Sequence, residues 1–136
     1  MASKSSVLKQ LKQAHIKPLV PLDLPREDDL IDIEESIYVQ LRGDFRDYLL
    51  EASDLCVGRL EPVTAADPHS HTYLPEVAAQ AWDAGLPREL LPICQTDNGY
   101  YCLDLEDQVV LWQDGETDPG SWPSFWAWAE DAWLNS

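Results

Sequence analysis

Residues 91–113, LPICQTDNGYYCLDLEDQVVLWQ, limit the possible folds most, because they read as two tight hairpins in succession and hence as three antiparallel strands. The first turn falls at Asp97-Asn98-Gly99, where Asn and Gly tolerate the positive φ of a primed hairpin turn. The second falls at Glu106-Asp107-Gln108. Between them Tyr101, Leu103 and Leu105 alternate with Tyr100, Cys102 and Asp104, the period of two expected of a sheet with one buried face.

The flanking segments supply helices to cover such a sheet. Asp32 and Glu35 have the spacing of a capping box, with Ile33, Ile37 and Leu41 recurring every four residues. Arg42-Gly43 then ends that helix, and Asp44 is placed to cap a second one burying Phe45, Tyr48, Leu49 and Ala52. Residues 55–63, LCVGRLEPV, read as a strand in which Gly58 marks a bulge or close backbone approach and Pro62 an edge. A third helix runs from about Pro75 to Ala84, stopped by Gly85. Near the C-terminus Trp122, Phe125, Trp126, Ala129 and Trp133 share one face of a final helix, leaving Trp128 off that face, either over a second edge or exposed. The predicted class is α+β, a mostly antiparallel sheet of about four or more strands packed by helices.

Charge divides the chain. Residues 1–26 carry five basic residues against one acid, whereas the remaining 110 residues carry four arginines against 24 acids. Pro18, Pro21 and Pro25 withdraw amide hydrogens from the intervening stretch, so residues 1–27 are expected to form a basic arm or linker before a domain over 28–136. Residues 5–15 form at most a short basic helix, and the opposite charge of arm and body favours docking. A body this negative repels nucleic acid and anionic membranes; its acids serve either solubility alone or attraction of a basic partner.

Three cysteines, Cys56, Cys94 and Cys102, each sit in an apolar run without ligand or disulfide spacing, which points to a reducing compartment. With no signal-peptide pattern and no apolar run of membrane-span length, a cytoplasmic location is expected. Asp67-x-His69-x-His71 has alternate metal-ligand residues, but nothing completes the set, and no metal or other cofactor is expected. Asp104, Glu106 and Asp107 supply carboxylates without a partnering nucleophile or phosphate loop, and acids at a tight turn are turn formers first. Catalysis is therefore not expected. The acids at loops beside the sheet, Asp97, Glu106, Asp107, Asp114, Glu116 and Asp118, are instead candidates for a single negative binding rim, with Trp128 beside them.

Several segments taken in order, DFRDYLLEASD, VGRLEPV, LPICQTDNGYYCLDL, VVLWQDG and SWPSFWAWAEDAWL, resemble the SUKH superfamily of Smi/Knr-like proteins over about residues 33–134. The most specific pieces are DNGYYCLDL, VVLW and the tryptophan-rich end, while GRLEP replaces the glycine-rich turn of many members. The resemblance implies an α+β fold and no catalysis. It also implies an immunity protein that binds and blocks a polymorphic or contact-dependent toxin, often a nuclease, and the acidic body joined to that role points to a basic toxin domain as the partner. The alternative is a regulatory or scaffolding module that binds a basic segment of a cellular partner.

Overall fold

The computed structural model describes residues 3–19 and 22–136; Pro21 of the proline-rich stretch lies outside them. Four antiparallel strands, β1 (Leu91–Gln95), β2 (Gly99–Leu103), β3 (Val109–Gln113) and β4 (Glu116–Trp122), form one meander in sequence order. The first three strands stand where the double hairpin places them. The fourth comes from the acidic, proline- and glycine-containing stretch ETDPGSW, whose composition suits a sheet edge because it discourages further pairing. The expected strand over residues 55–63 is instead an irregular segment, tied to β1 by the Pro62–Cys94 bridge and by Val63 N–H donating to the Ile93 carbonyl (2.8 Å).

The turns trade places with the expectation. Neither Asn98 nor Gly99 has positive φ; the primed geometry belongs to Asp114 (φ 54°) and Gly115 (φ 80°), between β3 and β4. Gly99 is needed for room, since a Cβ there would collide with the Trp112 carbonyl oxygen on the adjacent strand. Both faces of the sheet are covered: Leu103 and Val109 are buried on one, Cys102 and Val110 on the other, where Tyr100 stacks on Trp112 at 6.3 Å. The alternation at β2 therefore does not separate core from solvent.

Helices α1 (Lys4–Ala14), α2 (Glu27–Ile37), α3 (Gly43–Ala52) and α4 (Leu74–Asp83) precede the sheet. Helix α2 starts and stops earlier than expected. Its N-terminus carries only the return half of a capping box, the Asp29 carboxylate accepting the Arg26 amide at 2.8 Å, and left-handed Tyr38 ends it before Leu41. Its buried stripe is Leu30, Ile33 and Ile37. Helix α3 begins at Arg42 and Gly43 rather than at Asp44, and buries the four expected residues. Helix α4 and its stop at Gly85 (φ 109°) match the sequence reading within a residue.

The C-terminal element departs from α geometry. Helix α5 (Phe125–Trp128) widens into a π turn over Ala129–Trp133, in which the Leu134 amide donates back five residues to the Ala129 carbonyl at 2.9 Å. Trp122 belongs to β4 instead of this helix. The wider turn aligns positions five apart, so Trp128 stacks on Trp133 with centroids 6.4 Å apart and planes 25° apart. Trp128 is thus fully buried, contrary to its expected place on a second edge or in solvent. It also lies 5.3 Å from the ring of Tyr101, which joins α5 to β2. Phe45 and Tyr48 of α3 close the cluster against Phe125, Tyr48 at 4.6 Å. Two buried polar tips are tied off, Tyr48 donating to the Val63 carbonyl (2.7 Å) and the Trp133 indole to that of Val57 (3.0 Å), whereas the buried indole N–H groups of Trp126 and Trp128 have no hydrogen-bond partner. Burial raises the Tyr48 phenol well above its ordinary value.

The core also crosses the boundary expected near residue 28. Val7 and Leu11 of α1 are fully buried in the same hydrophobic cluster as the sheet and the tryptophans. Lys4 adds ion pairs to Asp47 (3.4 Å) and Glu51 on α3, but it is partly exposed. Apolar burial therefore dominates the docking of α1, because exposed ion pairs contribute little. Leu11→Ala is expected to lower stability by about 2–5 kcal/mol in urea denaturation, whereas Lys4→Ala should leave the midpoint within measurement error.

Candidate functional site

The six candidate acids are exposed, but they form two groups instead of one rim. Asp97 and the Asp114–Glu116 turn share one end of the sheet, where the Asp114 amide donates to the Asn98 carbonyl at 3.4 Å. Asp118 follows on edge strand β4 and accepts from the Gln113 side-chain amide at 3.5 Å. Glu106 and Asp107 sit at the other end, on the β2–β3 turn. A meander reverses direction at every turn, and strands of this length hold the two ends roughly 13 Å or more apart. Trp128 belongs to neither group: it is buried in the aromatic core and presents no surface to a partner.

Local geometry explains why acids occupy the second turn. One carboxylate oxygen of Asp104 accepts the amides of Glu106 and Gln108, both at 2.9 Å, while Asp107 takes a left-handed conformation with φ 61°. Asp107 also pairs with Arg42 at 3.4 Å, and Arg42 donates to the Leu105 carbonyl at 3.0 Å. Asp104 and Asp107 are thereby committed to shaping and bracing the turn, leaving Glu106 free. An open groove of about 290 Å³ adjoins it, with Tyr38, Phe45, Leu91, Leu103 and Leu105 among its walls.

The densest acidic surface was not singled out from the sequence. Helix α2 holds six acids and no base; Glu27 pairs with Arg46 (3.4 Å), Asp29 caps the helix, and Glu34 accepts the Leu41 amide (2.8 Å). Asp28, Asp32 and Glu35 remain exposed opposite the buried stripe. Their spacing of i, i+4 and i+7 was a legible signal, obscured by starting the helix at Asp32.

The SUKH_5 family model, described as SMI1-KNR4 cell-wall, matches residues 5–134. The chain belongs to the SMI1-KNR4 family. A crystal structure of a protein from Pseudomonas syringae pv. tomato is 49% identical to it, covering 97% of this chain and 99% of that one, with a TM-score of 0.92. No curated protein sequence matches. The family match begins within α1, in keeping with that helix's place in the core.

Side chains that suggested chemistry are used locally in this SMI1-KNR4 protein. Asp67 accepts the His69 amide at 2.9 Å, and His71 turns away to Glu61 at 2.7 Å. Among the described residues no cluster of three or more His, Cys, Asp or Glu could hold a metal ion, and no helix is long and apolar enough to cross a membrane. Two thiols are buried as expected, and burial pushes Cys94 and Cys102 each up to about 12. Cys56, expected in an apolar environment, is exposed. One thiol should therefore react rapidly with a disulfide reagent in the native protein at pH 8, and three after denaturation; rapid native labelling of Cys94 or Cys102 would contradict the packing.

Asp44 registers the crowding of like charge near the groove. Partial burial raises its carboxyl above the ordinary range, and the neighbouring Asp47 and Asp107 add to the effect. A raised carboxyl opposes folding when ionised, and this cost disappears once the folded and unfolded states are both protonated. Asp44→Asn should thus raise the melting temperature at pH 7, with the gain fading as pH falls through the raised folded-state value and absent below 3.8, the group's ordinary value.

Proposed function

We propose that this protein is a non-catalytic immunity protein that binds and neutralises a cognate polymorphic or contact-dependent toxin, possessing a basic domain such as that of a nuclease. The supporting observation is an exposed surface rich in unpaired carboxylates on a scaffold whose family often supplies toxin immunity. Formal net charge is −16, and among the described residues most basic side chains of the body are already committed. Arg42 and Arg46 pair with acids, and Arg88 lies 3.7 Å over the Trp82 ring. The remaining negative field accelerates encounter with a basic surface. At a nuclease's phosphate site, carboxylates take the hydrogen bonds that phosphates would receive. A binding role needs no metal or other cofactor.

Co-expression with the toxin-like product of the neighbouring gene tests this reading. Cell survival should be restored and a complex recovered, with association slowing steeply as salt rises. Absence of both rescue and binding would refute it, and a partner that is a chromosomal regulator would move the protein to a scaffolding role.

A further inference from the structure

The two acidic ends of the sheet differ in one respect that bears on recognition. Stable protein interfaces depend on a few desolvated apolar or aromatic anchors, while surrounding charge mainly steers and orients. Among the described residues, the exposed large hydrophobic side chains are Ile16, Leu19, Leu24, Ile31, Tyr38 and Leu105, and none falls at the end holding Asp97, Asp114, Glu116 and Asp118. Tyr38 (86% exposed) and Leu105 (71% exposed) line the same groove beside the β2–β3 turn. Ile31, half-exposed, lies on the outer face of α2 among Asp28, Asp32 and Glu35, and Tyr38 directly follows that helix.

We infer that the outer face of α2 together with the groove between Tyr38 and Leu105 is the docking surface for a basic protein partner, one that inserts an apolar side chain flanked by lysines or arginines. This rests on the immunity reading and gives it a location. Charge complementarity selects the occupant. Beside the groove Arg42 is paired with Asp107 and Arg88 is turned onto the Trp82 ring and the Ile37 carbonyl, while Glu89, Asp104 and Asp107 line the groove and Glu106 stands exposed on the adjoining turn. The floor of Phe45, Leu91 and Leu103 is apolar and already packed, so it receives a side chain without refolding. At about 290 Å³ the space matches one or two partner side chains, and it is small for a separate drug-sized ligand. The acids at the far end of the sheet then contribute long-range attraction without contact.

The test measures binding of the full-length protein to two probes, the purified toxin domain encoded by the neighbouring gene and a short synthetic peptide of lysines and arginines around a central phenylalanine. Tyr38→Asn, which keeps a residue tolerant of the left-handed conformation, and Leu105→Ser should each weaken binding at least ~10-fold, mostly through faster dissociation. Reversing Asp28, Asp32 and Glu35 together to lysine should slow association ~10- to 100-fold at low salt. Reversing Asp97, Glu116 and Asp118 should change affinity less than ~3-fold. Melting curves verify folding of each variant, and amide shift mapping on the unmodified protein gives an independent readout, with changes expected over residues 28–41 and 103–107. Wild-type binding that ignores the α2 and groove variants, or shifts confined to the Asp97–Glu116 end, would overturn this location while leaving the immunity reading intact. Failure of the wild type to bind either probe would overturn both.

Discussion

The stacking of Trp128 on Trp133 beneath Tyr101 holds the molecule together, because it joins its last helix to the centre of its sheet. Phe125 extends the contact to Phe45 and Tyr48 on α3, and the Tyr48 hydroxyl carries it to the irregular segment at Val63. The indole of Trp133 fastens the same segment at Val57. Chain that forms no strand of its own is thereby positioned by side-chain donors reaching its carbonyls. Each large buried ring removes on the order of 150–250 Å² from water, so displacing this cluster would uncouple sheet, α3 and C-terminus at once.

Charge acts on top of that apolar frame and is organised by it. The core stripe of α2 turns Asp28, Asp32 and Glu35 outward; the meander sends Asp97 with Asp114 to one end and Glu106 with Asp107 to the other. Some acids are structural, as at Asp104 and Asp29, where carboxylates satisfy backbone amides that would otherwise need water. Others have no local partner, and they dominate the field a partner would meet. This SMI1-KNR4 scaffold therefore separates two uses of one residue type, which composition alone merges.

Local rules recovered much of the fold. The double hairpin, α3, α4 and the stop at Gly85 follow from alternation, apolar spacing and glycine placement, which act over a few residues. The failures share a cause. Whether Asn98-Gly99 or Asp114-Gly115 adopts the primed turn depends on how each neighbouring strand continues, and β4 is a strand only because β3 offers it an edge. Residues 55–63 had strand composition, but left-handed Gly58 (φ 59°) and Pro62, which has no amide hydrogen to donate, interrupt a continuous ladder, so they bond to the outer edge of β1 at isolated points. The boundary drawn from charge and proline failed because Val7 and Leu11 find the core regardless of the charges around them.

The sequence by itself determined the α+β class, the meander's first three strands and the excess of carboxylates, since these depend on local period, turn chemistry and counting. Tertiary structure alone decided which acids stand together, which are consumed in capping, and where apolar anchors remain uncovered. Starting α2 at Glu27 instead of near Asp32 adds Asp28 and Ile31 to its outer face, and a π turn brings positions five apart into register. Both events turn on packing between distant segments, so Trp128 passed from candidate surface to core while Tyr38 and Leu105 were left exposed beside the groove.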